Sequence, residues 1–191
     1  MGTAFSSNRG DQRRHSVDAI RRLTDADAAE FFRLRREALE REPASFGESV
    51  EEHLKTPLDT IAQRLRGSAE NFVYGAFDGP ALVATAGFYR EQRAKRHHKG
   101  TVWGVYVAPD YRGRGVGRAV LTALLESIRA LPDLKNVYLS VTLAASPAVT
   151  AAQSPARSLY TSLGFRSFGT EPSALAVDGR YFDEEHMVLE L

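Results

Sequence analysis

The chain has 191 residues, which fits one domain, and 43% of them are hydrophobic, enough to bury a core. Its 25 basic and 24 acidic side chains leave a net charge of +1, so a globally basic nucleic-acid-binding protein is not indicated. The chain contains no cysteine, which excludes disulfides, thiolate metal ligands and a cysteine nucleophile. No apolar run is long enough to span a membrane and no secretory signal is visible, so we expect a cytoplasmic protein.

The start of the chain differs in composition from the rest. Residues 1–16 are polar and basic, and we predict a flexible N-terminal arm there, followed by a single domain over 17–191. Gly2 and Ser6 match the pattern for N-myristoylation. That pattern is loose, and a leader without a lipid is the plainer interpretation.

The first elements are a strand over 17–23 and a helix over 26–41, where apolar residues recur at helical spacing. A second helix is predicted to begin at Pro57 with Thr56 as its N-cap. The segments "NFVYGAF" and "ALVATAGFY" are rich in β-forming residues and are joined by the turn sequence Asp78-Gly79-Pro80, which predicts a hairpin.

The middle of the chain predicts a strand over 101–107, a helix over 117–131 and a strand over 136–143. A strand, helix and strand of these lengths imply a parallel crossover. Ser154 and Pro155 begin a short helix that Gly164 ends. The last two strands are predicted in "FRSFG" and "RYFDEEHMVLEL", with Asp178-Gly179 as a turn between them.

A loop rich in glycine and arginine lies between the 101–107 strand and the helix that follows it. Its sequence from Arg112 to Gly117 is "RGRGVG". The first N–H groups of a helix have no intrahelical acceptor, and the helix dipole adds positive potential there. Glycine allows close approach of the backbone, and arginine donates to phosphate oxygens. The loop is therefore predicted to hold a phosphate or pyrophosphate, the alternative being a solvated arginine-rich turn.

Two familiar phosphate motifs do not fit this loop. The dinucleotide fingerprint G-x-G-x-x-G requires glycine at position 118, where the chain has arginine. The Walker motif requires Gly-Lys-Ser/Thr, which is absent. The spacing that fits is Arg112-x-x-Gly115-x-Gly117.

Two segments carry a resemblance to a known family. "VYVAPDYRGRGVGRAVL" resembles the acetyl-CoA loop of the GNAT superfamily of acyl-CoA N-acyltransferases, and "ARSLYTSLGF" resembles its second hallmark, A-x-x-L-Y-x-x-x-G-F. The resemblance covers roughly residues 17–191. It implies an α/β (α+β) fold with a mixed, mostly antiparallel central sheet, a V-shaped splay between two parallel strands, and helices on both faces.

The resemblance also implies an acyl-donor site that binds acetyl-CoA. The backbone of the strand would pair with the pantetheine arm, and the loop would take the pyrophosphate. The implied residues are Val105, Tyr106, Val107, Arg112, Gly113, Arg114, Gly115, Val116, Gly117 and Arg118. The family often has an orienting asparagine seven residues before its tyrosine, and Gln153 occupies that position here.

Two residues are expected to be catalytic. Tyr160 matches the family tyrosine that protonates the leaving thiolate; a half-buried helix tyrosine is the alternative. The base for the acceptor amine is not evident. Glu91, at the end of a hairpin strand, is the first candidate and His98 the second, although both also fit a solvated connection. Two adjacent histidines, His97 and His98, make a poor metal site, so we predict no metal.

The acceptor side is less defined. Period-two alternation places Trp103 on the face of Val105 and Val107, where it either walls the acceptor pocket or packs in the core. The acidic run 183–186 could attract a cationic amine, or form a solvated cluster.

The leading hypothesis is an N-acetyltransferase that moves an acetyl group from acetyl-CoA to a primary amine by direct attack in a ternary complex. The acceptor would be a small-molecule or peptide amine, with no nucleic-acid or membrane partner, and a homodimer is one expectation. A non-catalytic acyl-CoA-binding regulatory module is the alternative. A nucleic-acid-binding domain using the loop arginines is a third reading, which the near-neutral charge disfavours.

Overall fold

A computed structural model of the protein describes residues 16–143 and 154–191. The predicted arm, apart from Ser16, and the position of Gln153 lie outside the described residues. The strands in the described part are β1 (Ala19–Arg22), β2 (Asn71–Asp78), β3 (Ala81–Arg90), β4 (Lys99–Val107), β5 (Asn136–Thr142), β6 (Arg166–Val177) and β7 (Arg180–Glu190). The α-helices there are α1 (Ala28–Arg41), α2 (Val50–Leu54), α3 (Leu58–Arg66), α4 (Val116–Arg129) and α5 (Pro155–Ser162).

The strands form one sheet in the order β1-β2-β3-β4-β5-β7-β6. All neighbouring pairs are antiparallel except β4 and β5, which are parallel because α4 carries the chain back across the sheet. The predicted mixed, mostly antiparallel sheet and the parallel crossover are confirmed.

The parallel pair separates along its length. Lys99–Thr101 of β4 pairs with Asn136–Tyr138 of β5, and the pairing ends there although β4 continues to Val107. The two strands therefore diverge, which confirms the V-shaped splay. We call Lys99–Thr101 the closed end of β4 and Gly104–Val107 its open end.

Helices cover both faces of the sheet, as expected. On one face α4 and α5 contribute to a core that includes Leu121, Leu124 and Tyr160. On the other face α1 and α3 contribute Leu34, Leu65 and their neighbours to a second core. The residues of β3 from 82 to 88 are all buried, because this central strand has a helical layer on each side.

A β-bulge interrupts β4 near its open end. Thr85 pairs with Tyr106 and Gly87 pairs with Trp103, so two residues of β4 face one of β3. Gly104 has φ +62, a conformation that glycine adopts without steric cost. The extra residue reverses the alternation, and Trp103 packs on the α1–α3 face while Val105 and Val107 pack on the α4–α5 face. The prediction that these three share a face is wrong for this reason.

Local signals agree with most boundaries. Ser154 accepts a hydrogen bond from the Arg157 amide and caps α5, and Asp178-Gly179 forms the predicted turn with both residues at positive φ. Helix α2 was not predicted, although Ser49 and Glu52 form a capping box at its start. Pro57 is the N-cap of α3 and not its first helical residue, one position from the prediction.

Candidate functional site

The loop between β4 and α4 has the backbone conformation that its glycines allow. Gly113 has φ +70 and Gly115 has φ +79, both in the left-handed region that a side chain disfavours. Gly115 is also the N-cap of α4. A Cβ added at either glycine would have no atom within 4 Å, so the space in front of this turn is open.

The start of α4 presents free backbone donors. The first i to i−4 bond of the helix runs from the Ala119 amide to the Gly115 carbonyl, at 3.0 Å. The N–H groups of Val116, Gly117 and Arg118 therefore have no acceptor within the helix. Together with the helix dipole they form a positive surface suited to an anion. The loop geometry predicted from the sequence is present.

Gly117 serves a different purpose from the two turn glycines. A Cβ at this position would lie 3.3 Å from a Val107 methyl and 3.4 Å from a Leu159 methyl. Contacts this short leave almost no room, so the absence of a side chain lets the end of β4, the start of α4 and helix α5 meet closely. Tyr160, the residue after Leu159, is thereby carried to the open end of β4.

The arginines of the loop are engaged with neighbouring elements. The Arg112 Nε donates to the Val107 carbonyl at 2.8 Å, and its guanidinium pairs with Glu42 at 2.6 Å. Arg118 donates to the Ser162 hydroxyl at 2.6 Å and so links α4 to α5. The Arg112 side chain is turned toward β4 and the end of α1, whereas the sequence predicted that it would face the pyrophosphate.

The open end of β4 presents different residues to its two faces. Val105 and Val107 pack against the α4–α5 core. Tyr106 is buried on the opposite face, and its hydroxyl donates to a Glu37 carboxylate oxygen at 3.0 Å. Burial, followed by the bond to Glu37, raises the pKa of Tyr106 to about 12. Tyr106 is therefore neutral at physiological pH.

Tyr160 is buried at the same end of the strand. It is 6% exposed and packs edge-on against Phe165, with ring centroids 6.1 Å apart. Burial raises the pKa of Tyr160 above the usual range of a phenol, because ionisation would place a charge in an apolar core. Its hydroxyl makes no hydrogen bond within the described part of the chain.

An ion pair that was not predicted anchors α5. Arg157, one turn before Tyr160, contacts Glu185 of β7 at 2.6 Å, and Glu185 is 6% exposed. The Arg157 guanidinium holds the pKa of Glu185 below its usual range. Within the acidic run 183–186, Glu185 therefore holds α5 against the sheet through this ion pair.

Glu91 and His98 lie at the closed end. The Glu91 amide donates to the Lys99 carbonyl at 3.0 Å, and the Glu91 carboxylate pairs with Arg96 at 2.9 Å. The His98 carbonyl accepts from the amides of Lys135 and Asn136. A strand rises roughly 3.3 Å per residue. The length of β4 therefore places these groups, near Lys99, more than about 20 Å from Val107, where the strand lies close to Leu159 of α5. The structure does not bring Glu91 and Tyr160 together.

A family model described as acetyltransferase (GNAT) family matches residues 31–165, more than half of the chain. This chain belongs to the GNAT family of acetyltransferases. The matched segment runs from within α1 to Phe165, immediately before β6, and so includes the splay, the glycine loop and Tyr160.

Individual relatives agree with this assignment. An N-acetyltransferase of Streptomyces griseus is 38% identical over 79 residues, which is 41% of this chain and 36% of that protein's length. The ribosomal-protein-alanine N-acetyltransferase of Brucella melitensis is 26% identical, with a TM-score of 0.73 over 91% of this chain and 99% of that chain. A phosphinothricin acetyltransferase of Sinorhizobium meliloti, solved with acetyl-CoA, is 20% identical, with a TM-score of 0.74 over 91% and 88%.

Two other kinds of feature are absent from the described residues. None of the helices there is long and apolar enough to cross a membrane. No group of three or more potential metal-ligating side chains occurs in residues 16–143 and 154–191.

Proposed function

We propose that this member of the GNAT family is an acetyl-CoA-dependent N-acetyltransferase that transfers the acetyl group to a primary amine by direct attack in a ternary complex. The observation that carries the proposal is the glycine turn with free helix N–H groups at the open end of β4. Open space in front of Gly113 and Gly115 suits a pyrophosphate, since a side chain at either position would fill it.

The donor would use three groups of contacts. The amides from Gly113 to Arg118 would bind the pyrophosphate, with Arg114 and Arg118 adding positive charge. The open end of β4, including Val105, would pair with the pantetheine arm as an added strand does, because β5 has diverged there. A backbone N–H at this end would then polarise the thioester carbonyl.

The chemistry needs no covalent enzyme intermediate. The neutral amine attacks the thioester carbonyl carbon, the C–N bond forms, and the C–S bond breaks with the electron pair leaving on sulfur. The nitrogen releases one of its two protons to solvent as the amide forms. Tyr160 would donate its hydroxyl proton to that sulfur and recover it from solvent. Its raised pKa keeps the hydroxyl protonated until negative charge develops beside it.

The amine must lose a proton before it attacks. Glu91 was the first candidate for that base, and its position at the closed end favours a solvent route or selection of amine that is already neutral. A cytoplasmic location and a homodimer remain predictions.

The test is a measurement of CoA release from acetyl-CoA with a panel of primary amines, followed by mass spectrometry of each product. We expect amine-dependent release and a product that gains one acetyl group. If acetyl-CoA binds but no amine is acetylated, the non-catalytic binding module becomes the better account.

A further inference from the structure

A cavity lies between the α1–α3 helical layer and the sheet, on the face opposite α4 and α5. Its volume is about 230 Å³. Ile61, Leu65 and Val73 form a buried apolar floor, and Trp103 lies at one wall. Arg64 and Tyr89 line it at exposed positions, so it reaches solvent on that side. The volume is below the roughly 300–1,000 Å³ of drug-sized sites, so it suits a small molecule.

Arg35 of α1 contributes a buried donor that has no partner among the residues the structure describes. Its Nε donates to Glu48 at 3.0 Å, and its guanidinium lies 4.4 Å from the centre of the Phe46 ring. These contacts fix the guanidinium plane, but the Nη1 atom is buried without a hydrogen-bond partner in the described chain. A buried donor without a partner is unfavourable, and an acceptor supplied by a ligand would remove that cost.

This donor lies near the start of the open end of β4, where the acetyl transfer is proposed. Arg35 Nη1 lies 4.0 Å from the position of a Cβ on Gly104, the bulge residue at which the open end of β4 begins. Arg35 and Trp103 both line the cavity. The inner end of the cavity therefore lies beside the bulge of β4, on the face of the sheet opposite Tyr160.

The charges that line the cavity favour an anion. Arg35 and Arg64 are cationic, and Glu48 is the one carboxylate among the lining residues that the structure describes. Glu48 is already bonded to Arg35. In the described structure Arg64 has no acidic partner. The balance is net positive, around a guanidinium whose free N–H suits a carboxylate oxygen.

We propose that this cavity binds the carboxylate of the acceptor, and that the acceptor is a free amino acid with an apolar side chain. The proposal rests on the proposed function, because it assigns the acceptor class of that same site. The carboxylate would accept from Arg35 Nη1, the side chain would pack on Trp103 and Leu65, and the α-amino group would point through the bulge toward the thioester. The carboxylate positions the amine and takes no part in bond making.

The test compares leucine, methionine and phenylalanine with their carboxamides as acceptors. The α-amine of a carboxamide is less basic, so intrinsic reactivity at neutral pH favours the amide and a preference for the acid must come from the protein. We expect kcat/KM for the free acids to exceed that of the amides by at least tenfold. Arg35→Gln should abolish that preference and Arg35→Lys should restore part of it.

Arg36→Gln is the matched control. Arg36 is the next residue of α1, exposed and paired with Glu40, so its loss should leave the preference unchanged. Acetyl-CoA affinity should be the same in all four proteins. Equal rates for acids and amides in the unmutated protein would overturn the proposal, as would an Arg35→Gln variant that loses both equally.

A binding arm separates this proposal from the proposed function. Thermal shift with each free acid, compared with its amide, reports the carboxylate site without turnover. If the acids stabilise the protein through Arg35 but no amine is acetylated, the cavity assignment stands and the enzymatic function fails. If only amines without a carboxylate are acetylated, the function stands and the cavity assignment is overturned.

Discussion

The two ends of β4 differ in how completely their polar groups are paired. At the closed end β5 completes the sheet, Glu91 pairs with Arg96, and the buried Arg90 pairs with Glu70 at 2.9 Å. At the open end β5 has diverged, the first amides of α4 lack intrahelical acceptors, and Arg35 Nη1 is buried with no partner among the described residues. One end of β4 thus has its polar groups paired and stabilises the fold, whereas the other end has unpaired donors that a ligand could use.

The largest expected effect comes from filling the glycine turn. Gly115→Glu places a side chain and a negative charge where the pyrophosphate is proposed to bind. At about 100 times its Kd, acetyl-CoA should stabilise the unmutated protein by ~2.7 kcal/mol, and the variant should lose that stabilisation. Thermal unfolding with and without acetyl-CoA measures it.

Gly179→Glu is the control for that variant. Gly179 also has positive φ, with open space around it, but it lies in the β6–β7 turn. The control shares the backbone strain and should keep the acetyl-CoA response. A retained response in a folded Gly115→Glu protein would contradict the donor site.

The next effect concerns the hydroxyl at the open end. Tyr160→Phe retains the ring and removes the proton donor, and we expect kcat to fall by about a hundredfold or more, as for loss of one general acid. Acetyl-CoA affinity should be unchanged. Tyr74→Phe removes a hydroxyl bonded to Ser127 on α4 at 2.7 Å and should leave kcat near that of the unmutated protein. Equal kcat values for the two variants would assign Tyr160 to packing.

A smaller effect is expected at the ion pair that anchors α5. The pKa of Glu185 is lowered by Arg157, so this carboxylate contributes stability above its ordinary pKa and loses that contribution as pH falls through its folded pKa. Glu185→Gln should lower the melting temperature by a few degrees at pH 7, and the difference should shrink in acid. Glu184→Gln, at the adjacent position, should show neither effect. A difference in melting temperature that grows as the pH falls would contradict this role of Glu185.

The smallest effect is expected at the closed end. Glu91 is paired with Arg96 far from Tyr160. The Glu91→Gln variant should therefore have a kcat within about twofold of that of the unmutated protein, and its rate should fall at acidic pH in the same way. If the fall at acidic pH flattens in this variant, Glu91 acts as the base through water from the closed end, and the separation of the two ends would not hold for proton transfer.

The sequence predicted the parts of the site that local patterns encode. The glycine turn, the start of α4 and the cap of α5 each depend on a few consecutive residues, and the family resemblance added Tyr160 and the splay. The reversal of Trp103 was missed because one extra residue at Gly104 changes the face of every side chain before it, and a glycine in a strand does not reveal its φ.

Arg35 was missed for a different reason. It lies in a largely charged segment with Arg33 and Arg36, and only its position at the edge of the apolar stripe of α1 indicated a partly buried side chain. The environment of its Nη1, which has no partner among the described residues, results from three parts of the chain meeting: α1 itself, the connection that holds Phe46 and Glu48, and Gly104 of β4. The position of Glu91 was missed because it depends on the register between β3 and β4, which places Glu91 beside Lys99 at the closed end.

The most direct test of the central claim is amide hydrogen exchange along β4 and the start of α4, with and without acetyl-CoA. The account predicts slower exchange for the amides of residues 113–118 and of the open end of β4, with no change at the closed end or in the 178–179 turn. Unchanged exchange at residues 113–118 under saturating acetyl-CoA, or protection confined to the closed end, would contradict it.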